Sequence, residues 1–497
     1  MAKIYNFETF EPKGVLLWFK KICQIPHGSN NEKQLCDFLA SELEKAGCKV
    51  TRFKTGAIYA IRKATKGYEK APSTLLQGHT DMVLAQDDGL GMDLTKNPIT
   101  AYYDTVHKWL KAEGTTLGAD NGIGVAMIME VMTNPKLEHG PLEAVLTTGE
   151  ETDPSICMKS IPSGIFKSKY IINLDCDKET DIYIGSGAFR SLFVKRKIKY
   201  VPVKKGTKTY NIQFRNFTGG HSGLEIHNNH INAIQFLTEA LLSFGKDHTI
   251  NAVELRSGTA QNSIPKFITA DIQIYPRDFK PLQQHLKKHL DMFLLMTQNY
   301  DKDVTWKAEL ATIQAKECVS DATSYNILLA LSIIPNGMFN YSNRGNCMFD
   351  SSNIGTASIS NGYLTFSSCP RSFIDADADR IREKTITLLK HFGVKDSEMI
   401  IRDGCSAWLN KDPDHSPLVQ LWRKNFVKVY KKQPRIIPDA GGLEIAEIIK
   451  KGPQMEANSL AVGPRIWMEH TTAEACPVDT VEKLWKILTM TLKGMKK

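Results

Sequence analysis

Hydrophobic residues recur at helical spacing near the start of the chain. Leu35, Leu39 and Leu43 follow one another at intervals of four, which predicts an amphipathic helix over residues 33–46. Gly47 comes directly after this stretch, and glycine commonly marks the end of a helix. We therefore expect a helix here that buries its apolar face.

Short apolar runs alternate with helical stretches in the part of the chain that follows. The runs at 74–77, 142–147 and 170–174 are typical of buried strands, and residues 122–132 form a helical stretch. This order predicts an α/β domain with a largely parallel central sheet flanked by helices. In such sheets, ligands bind beyond the carboxyl ends of the strands.

The pattern changes after the first third of the chain. Residues 195–200 and 208–214 alternate polar and apolar positions, as half-buried antiparallel strands do. Residues 231–242 then follow the spacing of a helix. We interpret residues 188–398 as an inserted α+β domain.

Helical and strand signals like those of the first part return at 418–430 and 478–492. The 497 residues exceed the roughly 250–300 that a single core supports, so more than one domain is expected. We predict a discontinuous first domain that comprises residues 1–187 and 399–497.

The composition is ordinary for a globular protein, with 42% hydrophobic and 24% charged residues. The net charge of +9 is densest at 195–197 and 493–497, and such clusters are typical of solvated surface, so no nucleic-acid partner is expected. Residues 1–8 lack the apolar stretch of a signal peptide, and no window is apolar enough to cross a membrane. The ten cysteines contain no CxxC pair. A reducing, cytoplasmic location is therefore expected.

Three short segments at predicted strand ends carry the candidate chemistry. They are residues 77–81 (Gln-Gly-His-Thr-Asp), 118–122 (Gly-Ala-Asp-Asn-Gly) and 148–153 (Thr-Gly-Glu-Glu-Thr-Asp). A neutral imidazole, a carboxylate that can bridge two cations and a pair of adjacent glutamates are the groups that divalent-metal hydrolysis needs. Together these segments predict a two-metal hydrolase site.

Each residue alone also has an ordinary structural explanation. His79 fits a histidine whose hydrogen bonds are satisfied at a strand end, and Asp120 fits a helix cap. Asp175 and His470 fit polar residues near turns. The glutamates at 150–151 are harder to explain, because two crowded carboxylates repel each other unless cations lie beside them. The joint occurrence of these residues favours the metal site.

Longer motifs resemble a known peptidase family. They are residues 19–29 (Phe-Lys-Lys-Ile-Cys-Gln-Ile-Pro-His-Gly-Ser), 114–124 (Gly-Thr-Thr-Leu-Gly-Ala-Asp-Asn-Gly-Ile-Gly) and 219–227 (Gly-Gly-His-Ser-Gly-Leu-Glu-Ile-His). They are similar to segments of the cocatalytic zinc peptidases that include aminoacylases and carnosinases, and among them to the aminoacyl-histidine dipeptidases. The resemblance covers nearly the whole chain. It implies a catalytic domain and an inserted lid domain that binds substrate.

The resemblance implies a ligand set for two Zn²⁺ ions, for which Co²⁺ or Mn²⁺ can substitute. Asp120 would bridge the two ions. His79 and Asp175 would complete one ion's ligands, and Glu151 and His470 those of the other.

The resemblance also implies roles for residues around the ions. Glu150 would be the general base that takes a proton from the bridging water and delivers it to the leaving amine. Asp81 would orient the metal-bound imidazole. In the inserted domain, His221 would stabilise the oxyanion. Asn262 and Arg371 would hold the carboxylate end of the substrate.

Two segments depart from the family pattern near the substrate. Residues 470–474 read His-Thr-Thr-Ala-Glu where the family tends to show His-Ser-Pro-Asp-Glu. Residues 439–444 read Asp-Ala-Gly-Gly-Leu-Glu and lack the histidine of the family's His-Ala-Gly-Leu-Glu. Neither departure removes a proposed zinc ligand. Glu444 is the carboxylate expected to receive a free substrate ammonium.

We therefore predict a cytoplasmic di-zinc dipeptidase that hydrolyses short unblocked dipeptides, with Xaa-His and carnosine-like molecules as candidates. A small peptide is the expected partner, and the resemblance allows a homodimer. Two alternatives stay open at this point. One is an aminoacylase-like amidohydrolase that acts on N-acyl amino acids, and the other is a non-catalytic binding protein that keeps the fold.

Overall fold

The structure is a computed structural model that describes residues 3–298, 300–344 and 347–496. The chain divides into two compact units. The first contains the residues up to Ser186, Trp408–Pro438 and the residues from Leu443 onward, and the second contains Gly187–Ala407 and Asp439–Gly442. Among the described residues, no helix is long and apolar enough to span a bilayer. None of the ten cysteines forms a disulfide bond with another described residue.

The first unit combines helices with a large and a small β-sheet. Its α-helices are Lys13–Cys23, Lys33–Lys45, Ala119–Thr133, Pro154–Lys159, Pro417–Tyr430, Ile445–Lys451 and Val478–Gly494. The strands of the large sheet are, in spatial order, Lys49–Arg52, Ile58–Arg62, Leu142–Thr147, Thr74–His79, Tyr170–Asn173, Ser459–Ala461, Asp181–Ser186 and Trp408–Leu409, with Arg435–Asp439 also beside Asp181–Ser186. The small sheet comprises Lys3–Ile4, Ala101–Asp104, Trp109–Ala112 and Cys476–Pro477.

The four central strands of the large sheet are parallel. Thr74–His79 lies between Leu142–Thr147 and Tyr170–Asn173, and Ser459–Ala461 lies beside Tyr170–Asn173. The flanking strands are antiparallel, beginning with Ile58–Arg62 beside Leu142–Thr147. The predicted α/β class is confirmed. The sheet is mixed with a parallel centre, where the sequence predicted a largely parallel sheet.

Helices cover the central strands and bury most of the apolar residues of this unit. The helix predicted over residues 33–46 is confirmed as Lys33–Lys45, and its apolar face is buried. Ala119–Thr133 is apolar on all sides and almost entirely buried, as expected for a helix inside a core. The first residues of this central helix include Asp120, so the core itself positions a predicted ligand.

The second unit contains two modules with the same order of elements, which is strand, helix, strand, strand, helix, strand. One module comprises Lys208–Arg215, Ala233–Phe244, Asn251–Ser257, Ile268–Ile274, Pro276–Met296 and Thr305–Leu310. The other comprises Ala188–Lys197, Asp321–Ile333, Ile354–Ser360, Tyr363–Ser368, Asp375–His391 and Met399–Asp403. Shorter strands are Tyr200–Pro202, Gly220–His221, Ser263–Ile264, Glu317–Val319, Gly337–Tyr341, Met348–Ser352 and Arg371–Ser372.

The two modules share one sheet. Asn251–Ser257 pairs with Ile354–Ser360 in antiparallel orientation, and this pairing joins the modules. The last strand, Met399–Asp403, pairs with the first, Ala188–Lys197. The compact unit therefore continues past residue 398.

Candidate metal centre

Three of the predicted ligands lie at the carboxyl ends of neighbouring parallel strands. His79 is the last residue of its strand, and Glu151 and Asp175 come shortly after theirs. In the strand register, His79 lies opposite Thr147. Because parallel strands end at the same edge of a sheet, the structure brings these three side chains together.

Asp120 faces two histidines. It lies at the start of Ala119–Thr133, where its backbone is not helical. Its Oδ1 lies 3.1 Å from Nε2 of His79, and its Oδ2 lies 3.3 Å from Nε2 of His470. One carboxylate thus approaches two imidazoles with different oxygens, which is the arrangement that a bridging ligand needs.

Each imidazole also faces a second carboxylate. Oδ1 of Asp175 lies 3.4 Å from Nε2 of His79, and Oε2 of Glu151 lies 3.0 Å from Nε2 of His470. Two ligand atoms bound at about 2.0–2.1 Å from zinc at a tetrahedral angle would lie about 3.3 Å apart. The donor atoms are therefore spaced as ligands of a shared cation are.

A buried oxygen of Glu151 gives a second indication of a cation. Its Oε1 has no hydrogen-bonding partner among the described residues. Leaving such an atom unsatisfied costs about 1–3 kcal/mol, and more when it is charged. Ligand atoms of His79, Asp120 and Glu151 lie within 4.8 Å of one another. The residues present therefore fit a divalent metal.

The electrostatics of the centre favour positive charge. Burial raises the pKa of Glu150 to about 8, and the carboxylates of Asp175 and Glu151 add to this rise, against the opposing effect of His79. Burial also raises the pKa of Asp175 and of Glu151. Hydrogen bonds to its carboxylate partners raise the pKa of His470 to about 10. Crowded acids of this kind bind protons unless metal cations take their place.

Asp81 contacts both the imidazole of His79 and the backbone of the adjacent glutamates, Glu150 and Glu151. Nδ1 of His79 lies 3.0 Å from the backbone oxygen of Asp81 and 3.4 Å from its carboxylate. The Asp81 carboxylate accepts the N–H of Glu150 at 3.0 Å and that of Glu151 at 3.2 Å. It also accepts the hydroxyl of Ser29 at 2.8 Å. With Nδ1 of His79 donating in this way, Nε2 is left as the metal-binding nitrogen.

Glu474 fixes the loop that carries Asp120, a role that the sequence did not indicate. Its buried carboxylate accepts the N–H groups of residues 117–120 at 2.8, 2.9, 2.8 and 3.3 Å. Burial raises the pKa of Glu474 to about 7, and these hydrogen bonds oppose the rise. The only signal in the sequence was that Glu474 is kept, four residues after His470, in a segment that otherwise departs from the family pattern.

The Glu474→Gln substitution should weaken metal binding by about 10–100-fold, the usual effect of losing a group that supports a metal ligand. The amide retains one acceptor oxygen but presents an NH₂ group to N–H donors that the carboxylate had satisfied. Competition with a chelator of known affinity measures the loss. In the metal-free protein, the amides of residues 117–120 should also exchange hydrogen faster. Glu469→Gln, on the same loop, is the matched control and should change neither quantity.

Glu444, predicted to receive a substrate ammonium, is fully buried in the first unit. Its Oε2 accepts hydrogen bonds from Nε2 of Gln77 at 2.8 Å and from the hydroxyl of Thr147. Burial raises the pKa of Glu444 well above its ordinary value, and Glu150 raises it further. Oε1 has no partner among the described residues. The carboxylate is thus tied to the sheet by one oxygen and keeps the other as an acceptor.

His221 lies in the second unit, and backbone hydrogen bonds fix its tautomer. Its Nδ1 accepts the N–H of Gly223 at 3.3 Å and that of Leu224 at 3.1 Å, so the ring proton is on Nε2. Burial lowers the pKa of His221 to about 4, and the neighbouring Arg371 adds to this effect. The side chain is therefore a neutral imidazole with an Nε2–H donor, the form that suits an oxyanion.

Arg371 and Asn262 lie near His221 in the same unit. The buried Arg371 donates from Nη1 to the carbonyl of Ala440 at 3.3 Å, and its Nε has no partner among the described residues. Asn262 is exposed, and its backbone oxygen accepts the N–H of Ser222, the residue after His221. The three residues predicted for the inserted domain thus form one cluster within the second unit.

Comparison with known sequences extends the resemblance over the chain. Residues 212–293 match the family model of a peptidase dimerisation domain. The chain is 29% identical to the cytosol non-specific dipeptidase of Escherichia coli K12 over 482 residues, which cover 96% of this chain and 97% of that protein.

Solved structures of peptidases are also similar to this chain over nearly its whole length. The crystal structure of aminoacylhistidine dipeptidase from Vibrio alginolyticus matches with a TM-score of 0.91 and 25% identity, and the match covers 98% of each chain. An M20 family metallo-carboxypeptidase from Sulfolobus solfataricus matches with a TM-score of 0.51 and 14% identity, over 97% of this chain and 99% of that chain, and shares the fold. The family predicted from the motifs is confirmed. The chain is therefore a metallo-dipeptidase that is similar over nearly its whole length to dipeptidases of the group that its motifs predicted.

Proposed function

We propose that this protein hydrolyses short unblocked dipeptides at a centre that holds two zinc ions, with Xaa-His and carnosine-like dipeptides among its substrates. The observation that carries the proposal is the position of Asp120, whose two oxygens face His79 and His470 separately. The likeness of the whole chain to an aminoacylhistidine dipeptidase supports the Xaa-His preference. Co²⁺ and Mn²⁺ would suit the same donors.

The proposed ligands divide between the two ions. Asp120 would bind both, His79 and Asp175 would bind one, and Glu151 and His470 would bind the other. The spacing of 3.0–3.4 Å between the facing donor atoms supports this division. When bound, the cations would polarise the scissile carbonyl and lower the pKa of a water molecule.

Glu150 would perform the proton transfers. Asp81 fixes the backbone of Glu150 through the N–H group, while the Glu150 carboxylate makes no hydrogen bond to another described residue. It is therefore free to accept a proton from the attacking water and to return it to the leaving amine. Cations nearby would oppose the raised pKa of Glu150, because positive charge favours an ionised carboxylate.

The second unit would bind the substrate. His221 would donate its Nε2–H to the oxyanion, and Arg371 and Asn262 would hold the carboxylate end. The neutral, Nε2-protonated state of His221 and the unpartnered Nε of Arg371 support these roles. In this interpretation, the first unit corresponds to the predicted catalytic domain, and the second unit, which extends past residue 398, corresponds to the predicted lid.

Two further proposals concern the oligomeric state and the cellular location of the enzyme. The match to a peptidase dimerisation domain supports a homodimer. A cytoplasmic location is supported by the name of the Escherichia coli relative, a cytosol dipeptidase.

A dipeptide panel assayed with and without chelator tests the proposal. β-Alanyl-histidine should be hydrolysed, a chelator should abolish the activity, and added zinc or cobalt should restore it. Metal analysis should find about two ions per chain. An N-acetyl amino acid should be a poor substrate.

Two outcomes would contradict this function. Faster hydrolysis of the N-acetyl amino acid than of β-alanyl-histidine would favour an amidohydrolase. Less than one zinc ion per chain, with no activity after zinc or cobalt is added, would favour a non-catalytic binding protein.

A further inference from the structure

Asp439 places a carboxylate beside the proposed carboxylate-binding arginine. It lies in the segment Asp439–Gly442, which belongs to the second unit together with Arg371. The carbonyl of the next residue, Ala440, accepts the hydrogen bond from Nη1 of Arg371 at 3.3 Å. Asp439 is therefore the sequence neighbour of Ala440, whose carbonyl contacts the guanidinium of Arg371.

The backbone around this carboxylate is closely packed. The N–H of Gly187 donates to the oxygen of Gly441 at 2.9 Å. At Gly223, a Cβ atom would lie 3.0 Å from the oxygen of Ala440 and 3.2 Å from Cζ of Arg371. Such close approaches hold the segment in one position, so the carboxylate of Asp439 is presented by a fixed backbone.

The carboxylate also has a defined orientation. Its Oδ1 accepts the N–H of Gly441 at 2.7 Å, which leaves Oδ2 as an acceptor, and the side chain is partly exposed. No ion pair within 4 Å joins Asp439 or Arg371 to any described residue of opposite charge. Asp439 does act electrostatically on His221, where it opposes the effect of burial on the pKa.

These observations place a carboxylate next in sequence to the residue that the guanidinium contacts, with no ion pair between the two charged groups. Arg371 offers donors to an anion, one of which has no partner among the described residues. Asp439 offers an acceptor to a cation. A ligand that satisfies both carries a carboxylate and a positive charge a short distance apart. A dipeptide ending in a basic residue has this pattern in its C-terminal half.

We propose that Asp439 binds the side chain of the substrate's C-terminal residue and selects dipeptides in which that side chain is cationic, as in lysine, arginine or protonated histidine. The α-carboxylate of the same residue binds Arg371. This inference rests on the proposed dipeptidase function. It also gives a function to a segment that departs from the family pattern, because residues 439–444 lack the family's histidine and begin with an acid, and a carboxylate favours a cationic partner over an apolar one.

The test compares kcat/KM for Ala-Lys, Ala-Leu and Ala-Glu in the wild-type protein and in Asp439→Asn. The wild type should prefer Ala-Lys over Ala-Leu by about tenfold or more, since a charge-assisted hydrogen bond is worth that much. Asp439→Asn should remove this preference and leave Ala-Leu nearly unchanged. With Ala-His, the wild-type preference over Ala-Leu should rise as the pH falls from 8 to 6, because the substrate imidazole becomes protonated.

The control is Asp303→Asn, an exposed aspartate of the same unit, which should keep the wild-type preference. Equal losses for Ala-Lys and Ala-Leu in Asp439→Asn would overturn the proposal, since the acid would then bind a group common to all dipeptides or support the fold. A wild type that does not favour Ala-Lys over Ala-Leu would overturn it as well. Failure of the proposed function is distinguishable, because the wild type would then hydrolyse none of the three dipeptides.

Discussion

Replacement of Glu150 by alanine should lower kcat for dipeptide hydrolysis by about 10²–10⁴-fold, the range that general acid–base catalysis contributes. KM and metal content should remain close to those of the wild type. The reason is that Glu150 is not among the proposed ligands, and its carboxylate makes no hydrogen bond to another described residue. Steady-state kinetics and metal analysis of the same preparation measure the three quantities.

The matched control for this substitution is Glu44→Ala, which removes an exposed carboxylate from the Lys33–Lys45 helix of the same unit. It should keep wild-type kinetics. Wild-type kcat in Glu150→Ala would remove the proposed mechanism. Loss of metal from Glu150→Ala would instead show that Glu150 is a ligand.

Removal of the Nε2–H donor of His221 should lower kcat by about 10²–10³-fold, as the loss of an oxyanion donor does in other hydrolases. KM should change little, because the donor acts on charge that develops in the transition state. Two variants separate this role from a structural one. His221→Ala removes the whole ring. His221→Asn also lacks the Nε2–H, but it keeps an acceptor near the position of Nδ1. That acceptor can still bind the N–H groups of Gly223 and Leu224.

Both His221 variants should lose activity to a similar degree. The control is His391→Ala, an exposed histidine at the end of Asp375–His391 in the same unit. Recovery of wild-type kcat in His221→Asn would show that the ring only supports the backbone turn, and the oxyanion role would then be wrong.

Much of the first unit was predictable because its signals are local. The apolar runs that end at 77 and 147 indicate strands. The polar residues that directly follow each run indicate the edge of the sheet at which the ligands lie. The antiparallel flanks were not predictable from the same pattern, since pairing direction depends on how distant strands are connected. The two modules of the second unit also escaped prediction, because one is inserted after the first strand of the other.

The candidate centre shows the same division between local and distant information. His79, Asp120 and Glu151 lie in recognisable segments, and the structure brings them within 4.8 Å. Glu474 gave no such signal, because its partners are backbone N–H groups about 355 residues earlier in the chain. The segment of Glu444 resembled a family motif, but the motif did not predict that its carboxylate is buried and hydrogen-bonded to Gln77 of the sheet. Its role toward a substrate ammonium stays a prediction.

The loop that carries His470 and Glu474 has a consequence for the synthesis of the enzyme. The loop is closed by paired hydrogen bonds between Trp467 and Ala475, and Glu474 reaches back to Asp120 across 354 residues. A ribosome that has added Asp120 must therefore add all of these residues before Glu474 can form its hydrogen bonds to the loop that carries Asp120. The nascent chain cannot assemble its full ligand set until this late stage of translation, and a chain terminated before residue 470 lacks one of the two imidazoles.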